Sequence, residues 1–456
     1  MLVPLPQQLE FIFNQVITYQ STRGSKRELS FEDIILSGVA DDKGLYLPNS
    51  TTLENLSNLT QEDLSYEDFV KTIFISLDKN SAKYVEDLPI YPGFENSPEP
   101  VLKEIEENKY VMELFHGPTK SFKDYALQPL GAIANRRLNE IDKRGLVLVA
   151  TSGDTGSAAI QAVKDSENID IVVLHPNKKV SEYQRRQMTE VIKSNVLNIA
   201  IDGSYDDCQK IVKELLQKNS FENQVISLNS INWLRVMGQT AYYVWLTKQF
   251  SSPINIAIPS GNFGNAYSAW FGRNNGLAIN EIFCASNTND VLTRFIHNGC
   301  LEPKETTQTF APSMDIQIPS SLERLIYDLQ GDTTEFYTSL QHESRAELDV
   351  ESLLKLQHIF SSASYDNDMI LDEIEKFYKK FQFIIDPHTA TALSDNVNFG
   401  SGLPVVGIAT ASPEKFENVI KRVIPEYHSN ESLNEEHFLV LDTEVSLVEN
   451  TIKEYF

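Results

Sequence analysis

The chain is 456 residues long, enough for two or three domains around a large core. With 64 acidic against 39 basic residues its net charge is −25, which repels polyanions at long range and argues against nucleic acid or an acidic membrane surface as a partner. Cys208, Cys284 and Cys300 form neither a disulfide framework nor a zinc pattern, no apolar run approaches bilayer length, and nothing before Arg23 reads as a leader, so a cytoplasmic protein is expected.

The first hundred residues read as a separate α+β module. Ser30-Phe31-Glu32-Asp33 and Ser65 to Asp68 are helix-capping starts, the second followed by Phe69, Val70, Ile73, Phe74 and Leu77 at helical spacing. Four prolines between Pro89 and Pro100 predict a linker out of the module. From about residue 101 strand, turn and helix alternate. The predicted strands are Leu146–Ala150, Ile171–Leu174, Val196–Ile201, Val225–Leu228, Ile254–Ile258, Ile282–Ala285, Phe383–Ile385 and Pro404–Ala409. Continuous Val- and Ile-rich runs are the pattern of strands buried on both faces. Their alternation with helices predicts an α/β fold with two parallel-sheet domains and a cleft between them. The boundaries expected are 1–100 for the N-terminal domain, 101–123 with 240–456 for a large domain, and 124–239 for a small one. The acidic stretch Asn430–Glu436 reads as solvated surface.

The chemistry centres on His116-Gly117-Pro118-Thr119-Lys120-Ser121-Phe122-Lys123-Asp124, which follows the apolar run Val111–Phe115. A strand, a Gly-Pro turn and a helix start can hold Lys123 in a cleft, where desolvation makes its amine a nucleophile. Alone, Lys123 reads better as a solvated first-turn lysine, and it is the loops further along the chain that overturn that reading. Two glycine loops follow predicted strands and precede helices: Thr151-Ser152-Gly153-Asp154-Thr155-Gly156 and Pro259-Ser260-Gly261-Asn262-Phe263-Gly264-Asn265. Glycine lets backbone approach a ligand, and a helix start offers free N–H groups, so such a loop cradles an anion. Neither has P-loop spacing, and no GxGxxG occurs. Pyridoxal phosphate needs a lysine for its aldehyde and a cradle for its phosphate, and an amino acid substrate needs a second cradle. Thr410, after Pro404–Ala409, is a hydroxyl that can face a ring nitrogen, or cap a helix before Pro413. No metal site is expected.

These stretches together resemble the threonine synthase family, within the tryptophan synthase β-like class of fold-type II pyridoxal phosphate enzymes. The resemblance runs from about Tyr19 to Phe416. It is carried by Tyr19–Gly24, Leu114–Thr119, Phe122-Lys123-Asp124, Thr151–Gly156, Val180-Ser181, Gln187-Met188-Thr189, Asn229–Trp233, Gly261–Asn265, Pro312–Ile316 and Asp386–Ala390. It is closer to the yeast and enterobacterial branch, which carries an extra N-terminal domain, than to the plant branch.

The resemblance implies that Lys123 is the Schiff-base lysine. It implies that Gly261, Asn262, Phe263, Gly264 and Asn265 hold the cofactor phosphate, that Thr410 lies beside the pyridine nitrogen, and that Asp154 lies near the ring hydroxyl. Ser152, Asp154 and Thr155 then fall where substrate binds, and Arg23, Lys120 and Arg235 are candidate ligands of a substrate phosphate. The implied substrate is the small molecule O-phospho-L-homoserine, turned with water into L-threonine and phosphate, and the implied state is a monomer. A phospho-lyase yielding 2-oxobutyrate, or a silent binding protein on the same fold, stay open. Two positions depart from the family's pattern: Ser412 replaces a histidine, and Lys178 stands where glycine is usual.

Overall fold

Apolar runs set the strands, which in chain order are β1 (Tyr19–Ser21), β2 (Tyr46–Pro48), β3 (Val101–Glu106), β4 (Lys109–Glu113), β5 (Gly145–Ala150), β6 (Ile169–Pro176), β7 (Val196–Ile201), β8 (Gln224–Ile226), β9 (Ile254–Pro259), β10 (Ile279–Asn287), β11 (Cys300–Leu301), β12 (Ala346–Glu347), β13 (Phe360–Tyr365), β14 (Val405–Ala409) and β15 (Leu439–Leu441). The structure is a computed structural model that describes residues 17–49, 56–59, 64–151, 153–218, 220–395, 397, 399–429 and 434–456. Two sheets dominate. One has the order β13-β10-β9-β14-β4-β3 and is parallel except for its edge strand β3. The other has the order β15-β7-β6-β5-β8 and is parallel throughout. Parallel pairing demands a crossover, and the intervening helices cover both faces. The alternation along β5 shows this: Val147 and Val149 enter one core, Leu146 and Leu148 another.

Four loops at the carboxyl ends of parallel strands carry the predicted chemistry: residues 114–123 after β4, 151–153 after β5, 260–263 after β9 and 410–412 after β14. Three of those strands, β9, β14 and β4, are neighbours in one sheet, while β5 belongs to the other. Ligands of open α/β sheets bind at this end, where loops and helix starts converge. Among the described residues, no helix is long and apolar enough to cross a membrane.

Several expectations are corrected. Pro89–Pro100 is no free linker: Ile90 and Tyr91 are buried, and the Tyr91 hydroxyl donates to the Tyr125 carbonyl at 3.1 Å. Tyr19, Phe31 and Phe69 lie in one continuous core with Tyr125, Trp233 and Ile256, so the N-terminal segment shares its interior with the two main sheets. Phe383–Ile385 forms no strand. Ile385 is buried beside Phe416 and Ile420, but the backbone runs on into Asp386, whose side chain caps the helix Pro387–Leu393. Among the strands that were missed is β13, whose sequence Phe-Ser-Ser-Ala-Ser-Tyr offers three serines where an apolar run was sought. The C-terminal stretch, expected with the large sheet, pairs β15 with β7 and lays Val448 and Ile452 against Cys208, Ile211 and Leu215. Glu436 is not solvated either, since it pairs with Arg185 at 2.9 Å and Arg186 at 3.3 Å.

Candidate active site

The lysine loop is tied down before it reaches the helix Asp124–Glu140. The Asp124 carboxylate accepts from the Thr119 backbone N–H at 2.9 Å and from the Thr119 hydroxyl at 2.8 Å. A Cβ on Gly117 would stand 2.5 Å from that carboxylate, so the turn requires glycine there. The Phe122 N–H donates to the Thr410 carbonyl at 2.9 Å, and the Ser412 N–H to the Lys120 carbonyl at 3.0 Å. The lysine loop and the segment after β14 therefore form one unit.

Lys123 is buried, and its Nζ stands 3.1 Å from Asp154 Oδ2. Asp154 opens the helix Asp154–Val163, where a helix start favours a negative charge. Its Oδ1 accepts from Gln184 Nε2 at 2.8 Å and pairs with Lys415 Nζ at 2.7 Å. Gly153 before it has φ +142°, and a Cβ there would meet the Gln184 side chain. Burial alone would raise the Asp154 carboxyl, but Lys123 and Lys415 outweigh it and hold the group well below the usual carboxylate range. Burial pushes the Lys123 ammonium down; Asp154 opposes this, while Lys415 and Arg235 reinforce it.

The second cradle is different in kind. Between β9 and the helix Gly264–Asn274, a Cβ on Gly261 would stand 2.3 Å from the Ser313 carbonyl, so no other residue fits. Phe263 takes the left-handed conformation at φ +65° and packs its ring 5.7 Å from Phe360. Asn265 Oδ1 accepts from the hydroxyls of Tyr242 at 2.5 Å and Tyr243 at 2.7 Å, which fixes the amide with its Nδ2 as donor. That buried Nδ2 has no partner among the described residues, nor has Ser260 Oγ. Unfilled donors at the start of an 11-residue helix suit an anion such as a phosphate. Ser313 joins the two halves: its Oγ lies 3.4 Å from Asp154 Oδ2, and its carbonyl is what excludes a side chain at Gly261. Ser313 is itself held by His388, whose Nε2 accepts from the Ser313 N–H at 3.2 Å while Nδ1–H donates to Asp386 at 2.8 Å.

Of the three cations expected at a substrate phosphate, two are committed elsewhere. Arg23 makes a two-pronged pair with Glu323, both contacts at 2.8 Å, under the Tyr337 ring. Lys120 is paired with Glu414. Both find carboxylates because the chain is rich in them. Arg235, on the helix Trp233–Thr247, is buried, has no partner for its Nε among the described residues, and is pushed down to about 10 by that burial. Thr410 is buried directly after β14; the cap before Pro413 is Ser412, not Thr410. Asn262 Oδ1 accepts from Ser320 Oγ at 3.3 Å. Thr155 is half-buried in the first helical turn, and Ser152 lies outside the described residues. Sequence reasoning gave no role to Lys415, Gln184, Ser313 or His388. For Ser313 and His388 the signal was available, since each falls inside a stretch that carried the resemblance.

A family model described as pyridoxal-phosphate dependent enzyme matches residues 99–348, and one described as threonine synthase N terminus matches residues 18–81. The chain is 32% identical to a threonine synthase of Pseudomonas aeruginosa, over 96% of this chain and 98% of that one. It is 30% identical to a threonine synthase of Saccharomyces cerevisiae, over 96% and 97%. The crystal structure of a PLP-bound threonine synthase from Brucella melitensis superposes with a TM-score of 0.88 at 32% identity, covering 96% of this chain and 99% of that one.

Proposed function

The chain belongs to the threonine synthase family of pyridoxal-phosphate dependent enzymes, and from that premise we propose that Lys123 bonds the cofactor while the Gly261–Asn265 turn holds its phosphate. The protein is a lyase that converts O-phospho-L-homoserine and water into L-threonine and phosphate. Bound pyridoxal phosphate supplies an aldehyde for an amine and a ring that draws electrons from the substrate's Cα. The observation that carries the residue assignment is Ser313, which touches the Lys123–Asp154 cluster with its hydroxyl and the unfilled cradle with its carbonyl.

Burial disfavours the charge on Lys123 and so favours its neutral amine, against the pull of Asp154. With the cofactor and substrate bound, that amine would be placed to move protons at the substrate's Cα, Cβ and Cγ as phosphate departs and water adds at Cβ. Asp154 receives Lys123 at hydrogen-bond distance whenever it carries a proton. The Asn265 amide and the N–H groups at the start of the helix Gly264–Asn274 take the cofactor phosphate. Arg235 is our candidate for the substrate's phosphate, its buried guanidinium having a donor to spare. Thr410 is uncharged, so beside the cofactor's ring nitrogen it would accept or donate without forcing protonation there. Burial of Lys123, Asp154 and Lys415 keeps bulk water off the amine between steps. We place the reaction in the cytoplasm, consistent with three buried free cysteines, and take the working unit as a monomer, as the resemblance implies.

The test is product analysis on O-phospho-L-homoserine. Threonine and phosphate are expected from the wild type and neither from Lys123→Ala. Accumulation of 2-oxobutyrate with ammonia would make the protein a phospho-lyase instead. Borohydride reduction of the holoenzyme should leave the pyridoxyl tag on the peptide containing Lys123, and a tag elsewhere would refute that assignment.

A further inference from the structure

The side chain of Lys415 is completely buried, and a buried ammonium needs a reason. It has two partners: Asp154 Oδ1 at 2.7 Å and the Thr119 carbonyl at 2.7 Å. It sits on the short turn Pro413–Phe416, just beyond β14, yet it reaches a carboxylate that follows β5 of the other sheet. The same carboxylate faces Lys123 with its other oxygen. Two further charged groups act on this cluster: Arg235, from the helix Trp233–Thr247, and Asp124, whose carboxyl burial lifts to about 6 against the Thr119 hydrogen bonds and Lys415.

With Asp154 and Asp124 anionic and Lys415 and Arg235 cationic, the cluster is neutral only if Lys123 carries no proton. Without Lys415 it is neutral only if Lys123 carries one. We infer that Lys415 is a positioning residue of the active site: its buried ammonium satisfies Asp154, and Lys123 is thereby left as a free amine able to attack a carbonyl. This rests on the assignment of Lys123 made above, and it gives the Pro413–Phe416 turn a part in the reaction that touches neither substrate nor cofactor.

The experiment uses the full-length apoprotein and 1-fluoro-2,4-dinitrobenzene, with labelling of the Lys123 peptide followed by mass spectrometry from about pH 6 to 10. Lys415→Met should move the labelling midpoint up by roughly one unit or more, slowing labelling near neutrality about tenfold. Lys415→Arg, which keeps the charge, should stay near the wild type. Asp154→Asn should move the midpoint down, the opposite direction, because it leaves Lys415 facing Lys123 uncompensated. A folded Lys415→Met protein whose midpoint is unmoved or lowered overturns the proposal. If that variant does not fold, a midpoint in Asp154→Asn that is unmoved or raised does so. The readout is taken without cofactor, so a failed borohydride tag on the wild type would sink the cofactor assignment while leaving this result to stand or fall separately.

Discussion

The two ends of the proposed site solve opposite problems. Around Lys123 the polar groups are charged and already paired: Asp154 holds Lys123, Lys415 and Gln184 at once. Around Gly261 the described residues pair no charge in this way, and donors are left over, above all Asn265 Nδ2 and Ser260 Oγ. Buried ions are stable only when their charges compensate, so the first arrangement can pass a proton while its total changes little. Dipoles and unfilled N–H groups cost less to bury, so the second can accept an anion without breaking an existing pair. The difference teaches that a cleft for this chemistry is pre-satisfied where protons move and pre-emptied where phosphate sits.

The largest expected effect falls on the paired end. Lys123→Ala should lower turnover by on the order of 10³-fold or more, since one group serves as both nucleophile and proton carrier. It should still bind pyridoxal phosphate through the Gly261 end, seen as a noncovalent spectrum that borohydride does not fix. Loss of all cofactor binding would mean the two ends are not separable.

An unfilled polar group is not by itself a site, and His175 sharpens that point. Its ring is buried at the end of β6 beside Phe438, and both nitrogens lack partners among the described residues. Burial pushes the imidazole down from 6.5 to about 4. The unfolded chain then binds a proton between those values that the folded chain does not. Stability therefore falls as pH drops from about 6.5 towards 4, by about 3 kcal/mol in total, and this group adds no further loss below that. His175→Leu should flatten that segment of the curve, measured as urea midpoints at neutral and mildly acidic pH. An unchanged slope would show that the imidazole is solvated in solution.

Asn265→Asp probes the emptied end with little disturbance to its support. The substituted side chain still accepts from Tyr242 and Tyr243, but it presents an oxygen where the unfilled donor was. Affinity for pyridoxal phosphate should fall by about 2–3 kcal/mol, roughly a hundredfold, while affinity for pyridoxal, which lacks the phosphate, changes little. Equal losses for both ligands would place the phosphate elsewhere.

How far the sequence disclosed all this follows from the range of the forces involved. The strand–turn–helix around Lys123 and the two glycine loops were legible because local backbone geometry demands those residues: Gly117 and Gly261 have no room for a Cβ. The long buried strands were legible because parallel pairing needs continuous apolar runs. Lys415 was passed over because a lysine between glutamate and phenylalanine reads as surface charge, and only the fold delivers its partner from the other sheet. The commitment of Arg23 to Glu323 spans 300 positions of sequence, and the return of β15 to β7 is equally remote. Phe383–Ile385 misled because three apolar residues that dock on a core look the same as three that join a ladder.

The smallest effect concerns Lys178, which follows β6 and belongs to neither end. Its φ is +58°, the left-handed conformation that disfavours a side chain, which fits the glycine that the resemblance leads one to expect there. Lys178→Gly removes the steric cost but restores freedom to the unfolded chain, and the two partly cancel. A net gain of a few tenths to about 1 kcal/mol is expected, read as a small rise in the urea midpoint. Because Lys178 takes no part in pairing Asp154 or in filling the Gly261 cradle, neither turnover nor cofactor affinity should move with it. A change in either would mean that the loop after β6 communicates with the site, and the division into a paired end and an emptied end would need a third member.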